Sequence, residues 1–316
     1  MLMGIAIFEV MLGHVVSWLE ISYPNAILGF VIARMYYTVH TPGFLLLSGL
    51  GLYYSFSKNN DVSSFYLRRM QRMWLPFMII AAVFYAAILL KEGAFNIVSY
   101  LGLVTALGYW FGDTNMWYIA LSIILYAIFP VAYKWMKINW KLHTIIIVVF
   151  TLLLGYLLNT FVPSYFEKVF LAIPKIPMFF VGVYIGYLIK ENVKVNLPRM
   201  GILCLIVSIF FFGLSRINHF FMYYSDLALF PTTIWIVAYL YSKLENFKII
   251  QCLIKIWSWF GKYTLELYVL HLLITRIINP GNNFYLTSLV IILSLLLCVP
   301  VQRVTISLSK LIIKKL

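Results

Sequence analysis

The sequence is poor in charge and in cysteine, and each shortage excludes a class of protein. Only 11% of the 316 residues are charged and 63% are hydrophobic, whereas about a quarter of the residues in a soluble domain are charged. The composition therefore excludes a soluble domain and is typical of an integral membrane protein. The three cysteines, Cys204, Cys252 and Cys298, share no metal-ligand spacing. They predict neither a metal site nor a disulfide framework.

The chain also lacks the motifs of several enzyme classes. No G-x-S-x-G elbow, Walker A loop, H-E-x-x-H pair or dinucleotide-binding fingerprint occurs in a credible context. The formal net charge of +14 would suit a nucleic-acid partner. The basic residues are scattered through short loops between apolar runs, however, which is the pattern that membrane topology produces. We therefore expect the lipid bilayer as the partner and no nucleic acid.

Long apolar runs are what the sequence does contain. A transmembrane helix needs about 20 predominantly apolar residues, and we assign ten: 2–19, 33–56, 73–90, 116–135, 144–161, 169–189, 200–217, 225–242, 257–278 and 285–308. Prolines and glycines interrupt several runs, which a bilayer tolerates where freed backbone groups line a cavity. The prediction is an all-α integral membrane protein, a bundle of about ten transmembrane helices around a polar chamber, in a single domain over 1–316. We expect the glycine-interrupted segment 96–112 to be interfacial or re-entrant.

The charges of the loops predict the orientation of the bundle. With a cytoplasmic N-terminus, seventeen Lys and Arg residues fall in cytoplasmic loops. The outer loops then hold four, namely Lys91, Lys168, Arg216 and Arg276. Because positive charge is retained inside, the sequence predicts a multi-pass protein of the plasma or inner membrane with both termini in the cytoplasm.

A histidine inside the first apolar run is the first candidate for chemistry. Lipid penalises an ionisable side chain by about 3 kcal/mol, so such a group usually faces a protein interior or a wet cavity. His14 lies about 20 Å along the first helix from residue 1. A neutral imidazole there can take a proton from a hydroxyl and return it, which suits acyl transfer to an alcohol. A core histidine bonded to a neighbouring helix is the alternative interpretation.

An arginine cluster precedes the third run. Arg69 and Arg72 are three residues apart, with Arg68 beside them, and paired guanidinium groups can clamp a phosphate. An anionic donor such as acyl-coenzyme A fits this cluster, and so do lipid headgroups. Further substrate or oxyanion candidates are His40, Tyr118, Lys175, Glu266, Tyr268 and His271. The alternative interpretation is helix packing for His40 and an interfacial aromatic belt for Tyr118.

Six segments in this order resemble the acyltransferase-3 family of membrane acyltransferases. They are 4–14, 44–49, 65–76, 117–130, 175–182 and 261–271. The resemblance implies a ten-helix enzyme with no permanently bound cofactor that uses cytoplasmic acyl-coenzyme A, often acetyl-coenzyme A, as co-substrate. It implies transfer to a hydroxyl, commonly on an extracytoplasmic or lipid-linked glycan. By the same resemblance His14 is the catalytic histidine, and Arg69 with Arg72 bind the donor.

One position departs from the family pattern, and two other functions stay open. The family usually has a basic residue followed by glycine eleven positions before the histidine, whereas this chain has Met3 and Gly4. Either the chain begins upstream of Met1, or a donor-site or structural charge is missing. The alternatives are a transporter or exporter of a glycan or lipid-linked sugar, and a non-catalytic partner of polysaccharide-synthesis proteins.

Overall fold

A computed structural model describes residues 1–20, 26–113 and 115–315, with 26–40 and Lys315 described as backbone only. Every regular element in these ranges is helical. The α-helices are α1 Leu2–Trp18, α2 Ala26–Lys58, α3 Val62–Arg69, α4 Leu75–Lys91, α5 Ile97–Val104, α6 Trp117–Met136, α7 Trp140–Phe161, α8 Pro163–Val169, α9 Ile176–Lys190, α10 Leu197–Leu214, α11 Phe221–Leu244, α12 Lys248–Lys262, α13 Thr264–Ile278 and α14 Phe284–Lys315.

The expected fold class is confirmed: the chain is an all-α, multi-pass membrane protein. In the described residues, seven helical stretches are long and apolar enough to cross a bilayer. Helix α1 is apolar but shorter, at 17 residues. The count of ten spans stays a prediction.

Two of the expected spans differ from the observed helices. The span expected at 73–90 belongs to a continuous helical run, Val62–Lys91. Asp61 caps its start, because its Oδ2 accepts a hydrogen bond from the Ser64 backbone N–H at 2.8 Å. The side-chain and backbone hydrogen bonds of Ser64 also hold the pKa of Asp61 below its ordinary value. The span expected at 257–278 is divided at Tyr263, which lies between the end of α12 at Lys262 and the start of α13 at Thr264.

The chain forms two compact units. The first comprises Met1–Val10, Ser22–Ser57 and Tyr133–Gly261, and the second comprises Met11–Ile21, Lys58–Ala132 and Lys262–Leu316. The single domain that we expect over the whole chain stays a prediction.

Glycines allow very close helix contacts in the first unit. A Cβ atom added to Gly4 would lie 1.7 Å from the Trp257 carbonyl oxygen, and one added to Gly182 would lie 2.0 Å from that of Leu46. Small residues let membrane helices approach in this way. Gly4 follows Met3, the position at which the chain departs from the family pattern. The packing role of Gly4 is therefore independent of the residue before it.

Helices α4 and α13 run in the same direction in the second unit. Their C-terminal ends are joined by Lys91, whose Nζ donates to the Ile277 carbonyl at 2.8 Å, and by an ion pair between Arg276 and Glu92. Helix α14 runs the opposite way, since the Nε2 of Gln302, late in α14, donates to Glu266 near the start of α13 at 3.1 Å. This alternation of direction agrees with the expected topology.

The segment expected to be interfacial or re-entrant consists of two short helical pieces. Helix α5 is followed by a 3₁₀ turn at Leu107–Phe111. Ala106 enters the turn with a φ of 62° and Gly112 leaves it with a φ of 118°. A Cβ atom on Gly108 would lie 3.2 Å from the Gly102 carbonyl carbon, so the two pieces pack closely. The depth of this segment in the bilayer stays a prediction.

Candidate active site

His14 lies beside a second histidine in the second unit. The centroids of the His14 and His271 rings are 5.2 Å apart. On its own helix His14 stacks on Trp18, with ring centroids 5.6 Å apart. Residues four apart share a helix face, so the indole and the imidazole line the same side of α1. The structure thus brings together two histidines that are distant in the sequence.

His271 is fully buried, and one of its ring nitrogens has a fixed role. Its Nδ1 lies 2.6 Å from the Leu267 carbonyl oxygen. A carbonyl can only accept, so Nδ1 carries the proton and Nε2 of the neutral ring is an acceptor. Among the described residues Nε2 has no hydrogen-bond partner. A buried acceptor without a partner is costly, which makes this nitrogen a candidate to receive a proton-bearing group.

Two tyrosines extend the row of rings. Tyr268 lies one turn before His271, with ring centroids 6.1 Å apart in edge-to-face geometry. Tyr118, at the start of α6, makes an edge-to-face contact with Tyr268 at 5.6 Å. Both tyrosines are buried. Four of the residues singled out in the sequence therefore form one continuous cluster.

A cavity of about 630 Å³ opens next to this cluster. It lies where the C-terminal ends of α1, α4 and α13 meet, which are ends that the loop charges predict to be extracytoplasmic. The residues around it include His14, Trp18, Lys91, Glu92, Asn115 and Arg276. A cavity of this size, with a few convergent polar groups, is typical of a small-molecule site.

The arginine cluster lies on the same helical run as Lys91, near its other end. The helix makes a π-turn over Met70–Trp74, where the backbone N–H of Leu75 donates to the Met70 carbonyl. Turns of this kind are frequent at functional sites. Arg69 interacts electrostatically with both Arg68 and Arg72, and these like charges repel. An anion bound by the cluster would relieve that repulsion. In the described residues the Nη2 of Arg68 is buried without a hydrogen-bond partner.

Two of the sequence candidates lie elsewhere in the described structure, and a third cannot be placed. Glu266 is buried near the start of α13, where Gln302 holds it. Lys175 belongs to the first unit, in which its Nζ donates to the Leu171 carbonyl at 2.8 Å and interacts electrostatically with Asp226. The side chain of His40 lies outside the described residues. Neither Glu266 nor Lys175 lines the cavity with His14.

The sequence reading missed several residues around the cavity, although signals for some were present. Trp18 follows His14 by one helical turn on the same face. Lys91 and Arg276 are two of the four cations that the predicted topology places outside. Glu92 pairs with Arg276 across 184 positions of sequence, and only the fold reveals that contact.

One comparison with known proteins gave a match. The model of the acyltransferase-3 family, described as an acyltransferase domain, matches residues 2–303. No curated protein and no solved structure matches the chain. The family match covers both compact units and every candidate residue.

Proposed function

The chain belongs to the acyltransferase-3 family and is a membrane acyltransferase, and from this premise we propose its reaction. The enzyme moves an acyl group, typically acetyl, from cytoplasmic acyl-coenzyme A to a hydroxyl of a cell-surface or lipid-linked glycan. His14 is the general base, and Arg69 with Arg72 bind the donor. The observation that carries the proposal is that His14, paired with the buried His271, borders the cavity.

The imidazole of His14 supplies the proton transfers. His14 takes the proton of the acceptor hydroxyl while the hydroxyl oxygen attacks the thioester carbonyl. The tetrahedral intermediate then collapses, the carbon–sulfur bond breaks, and the imidazolium returns the proton to the leaving thiolate. General-base catalysis of this kind is worth about 10²–10⁴-fold in rate. His14 can also act as a nucleophile that carries the acyl group.

Neighbouring groups support the same chemistry. The Nε2 of His271 is the acceptor that an N–H of His14 needs in order to present its other nitrogen as a base. We assign Tyr118 and His40 as candidates for stabilising the oxyanion, since donors aimed at the developing charge lower the barrier. Tyr268 packs between Tyr118 and His271 and keeps the row of rings in place.

The repulsion within the arginine cluster supports the donor site. Coenzyme A carries phosphates, and guanidinium groups bind phosphate through paired hydrogen bonds. The loop charges predict that this end of the helix faces the cytoplasm, where acyl-coenzyme A is found. The acyl group therefore enters from the side opposite to the cavity.

Labelling with radioactive acetyl-coenzyme A tests this proposal. Membranes that contain the wild-type chain are compared with membranes that contain His14→Ala. The control is His143→Ala, because His143 belongs to the first unit and does not line the cavity. We expect label in glycan or lipid for the wild type and for His143→Ala, and a loss of about 10²-fold or more for His14→Ala. Both variants should be recovered as folded protein.

Full transfer by a folded His14→Ala protein would exclude both versions of the histidine mechanism. Background labelling by all three proteins, after other acyl-coenzyme A donors have been tried, would favour a transporter or a non-catalytic partner. The same assay with Met3→Arg tests the position at which the chain departs from its family.

A further inference from the structure

We propose that the cavity beside His14 binds a neutral sugar ring of the acceptor, with Trp18 as the surface on which the ring packs and the Arg276–Glu92 pair as the group that recognises its hydroxyls. This inference rests on the proposed function, because it assigns the acceptor side of the same site. It concerns residues that the sequence motifs did not include.

Two unusual charges converge at this cavity. Lys91 and Arg276 are two of the four cations that the topology places outside, against the general bias. They lie at the ends of two parallel helices and both border the cavity. Lys91 is held by the Ile277 carbonyl and Arg276 by Glu92. Cations retained in the disfavoured location and fixed around a cavity indicate a binding role.

The Arg276–Glu92 pair offers both donors and acceptors to a ligand. The Nε of Arg276 lies 3.4 Å from Oε1 of Glu92, and its Nη2 lies 3.2 Å from Oε2. The side chains remain 32% and 40% exposed. A guanidinium has five N–H donors, and a carboxylate has about four acceptor sites, so the pair keeps free donors next to free acceptors. Neighbouring sugar hydroxyls, which each donate and accept, match this arrangement.

The pairing of the charges favours a neutral ring over a phosphate or an acidic sugar. Glu92 already pairs with Arg276 and would repel an added carboxylate or phosphate. Lys91 is the remaining charged side chain at the cavity, and its ammonium already donates to the Ile277 carbonyl. Asn115 and Thr275 are uncharged. Trp18 is half-buried and borders the cavity one turn from His14. An indole there can cover the apolar face of a sugar ring and hold one of its hydroxyls near the imidazole.

A cysteine at position 115 can report occupancy of the cavity without any catalysis. Asn115 is exposed at the cavity, and Tyr285 is 82% exposed but does not border it. Each is changed to Cys in a full-length chain in which Cys204, Cys252 and Cys298 are replaced by Ala. Intact cells are treated with a membrane-impermeant maleimide, with or without methyl glucoside or methyl N-acetylglucosaminide. Sorbitol, which has hydroxyls but no ring, is the control compound.

We expect labelling of both cysteines from outside and a several-fold slower labelling of Asn115→Cys alone when a methyl glycoside is present. Addition of Trp18→Leu should remove this protection, whereas the matched change Trp259→Leu, on α12, should leave it. Absence of outside labelling at position 115, absence of protection by either glycoside, or equal protection by sorbitol would overturn the proposal.

Exchanging the charges of Glu92 and Arg276 tests whether this ion pair recognises the sugar or only joins the two helix ends. Glu92→Arg and Arg276→Glu should each lower thermal stability and remove protection. The double variant restores an ion pair, so its stability should return while protection stays lost, because donors and acceptors have changed places. Recovery of protection in the double variant would show that the pair is only structural. Protection without any acetyl transfer would disprove the proposed reaction and leave the sugar site intact.

Discussion

The pairing of His14 with His271 gives each histidine a different task. His271 is fixed by the Leu267 carbonyl and fully buried, so it is suited to orienting a neighbour. His14 is partly exposed and borders the cavity, so it is the ring that an acceptor hydroxyl can reach. We therefore propose that His271 is a positioning residue and that His14 is the catalytic residue.

Replacing His271 by Phe should test this division. The ring volume is nearly kept, but the Nε2 acceptor is lost, so kcat for acetyl transfer should fall while the KM for acyl-coenzyme A stays constant. The loss should be smaller than that of His14→Ala, since the base itself remains. His143→Phe is the matched control, because the Nδ1 of His143 also bonds a backbone carbonyl, that of Trp135, yet this histidine does not line the cavity. An unchanged kcat in folded His271→Phe would contradict the assignment.

We expect substitutions in the arginine cluster to weaken mainly the binding of the donor. Arg69→Gln and Arg72→Gln should each raise the KM for acyl-coenzyme A by about tenfold, the value of one hydrogen bond to a charged group, with a smaller change in kcat. Arg69→Lys should not restore binding, because an ammonium cannot form the paired contacts of a guanidinium. Initial rates at varied donor concentration check this, with Arg199→Gln on the exposed start of α10 as the control. A KM that stays at the wild-type value would assign the cluster to lipid headgroups.

At the scale of helices, glycine positions set how closely the elements of the first unit pack. Gly49 and Gly51 lie two residues apart on α2 and differ completely in their surroundings. A Cβ atom on Gly49 would lie 2.0 Å from the Phe179 carbonyl oxygen, whereas one on Gly51 would meet no atom within 4 Å. The two positions therefore separate packing from helix propensity.

Gly49→Ala should destabilise the protein by about 1–3 kcal/mol through overpacking against α9. Gly51→Ala should be neutral or stabilise it by about 0.5–1 kcal/mol, because alanine favours the helix. Thermal unfolding of the two variants in the same detergent measures both changes. Equal stability of the two variants would show that the close contact of α2 with α9 does not carry the packing of this unit.

The sequence predicted helices better than it predicted their ends. Apolar composition is a local property, so runs such as the one in α7 could be assigned directly. The division at Tyr263 could not, because α12 and α13 are both rich in apolar residues and the nearest glycine, Gly261, lies within α12 rather than at the break. The π-turn at Met70–Trp74 was equally hidden, since it follows from backbone hydrogen bonding rather than residue type.

The candidate site was predictable in part for a similar reason. His14, Arg69 and Arg72 stand out because charge in or beside an apolar run is costly. Tyr268 and His271 stand three residues apart on one helix face and also match the family resemblance, but their contact with Tyr118 required the fold. The Arg276–Glu92 pair joins the ends of two helices that are distant in the sequence, and each residue looks like an ordinary surface charge there.

For the molecule as a membrane-spanning whole, the second unit separates the proposed donor site from the acceptor site. Arg72 and Lys91 belong to one helical run, and at 1.5 Å per residue they lie about 28 Å apart along its axis. That distance is close to the thickness of the hydrocarbon core, about 30 Å. If the proposed donor and acceptor sites are right, the acyl group crosses most of the bilayer within the protein before it reaches the hydroxyl near His14.

This separation predicts that transfer depends on the side from which each substrate is supplied. In sealed, oriented proteoliposomes, acetyl-coenzyme A should support transfer only from the side that carries the arginine cluster. A methyl glycoside should accept the acetyl group only from the side on which Asn115→Cys is labelled. Measuring product in both compartments, with detergent-opened vesicles as the control, checks the two requirements separately. Transfer with both substrates on one side would show that donor and acceptor share an entrance, and the long path along the helix would then have no part in the reaction.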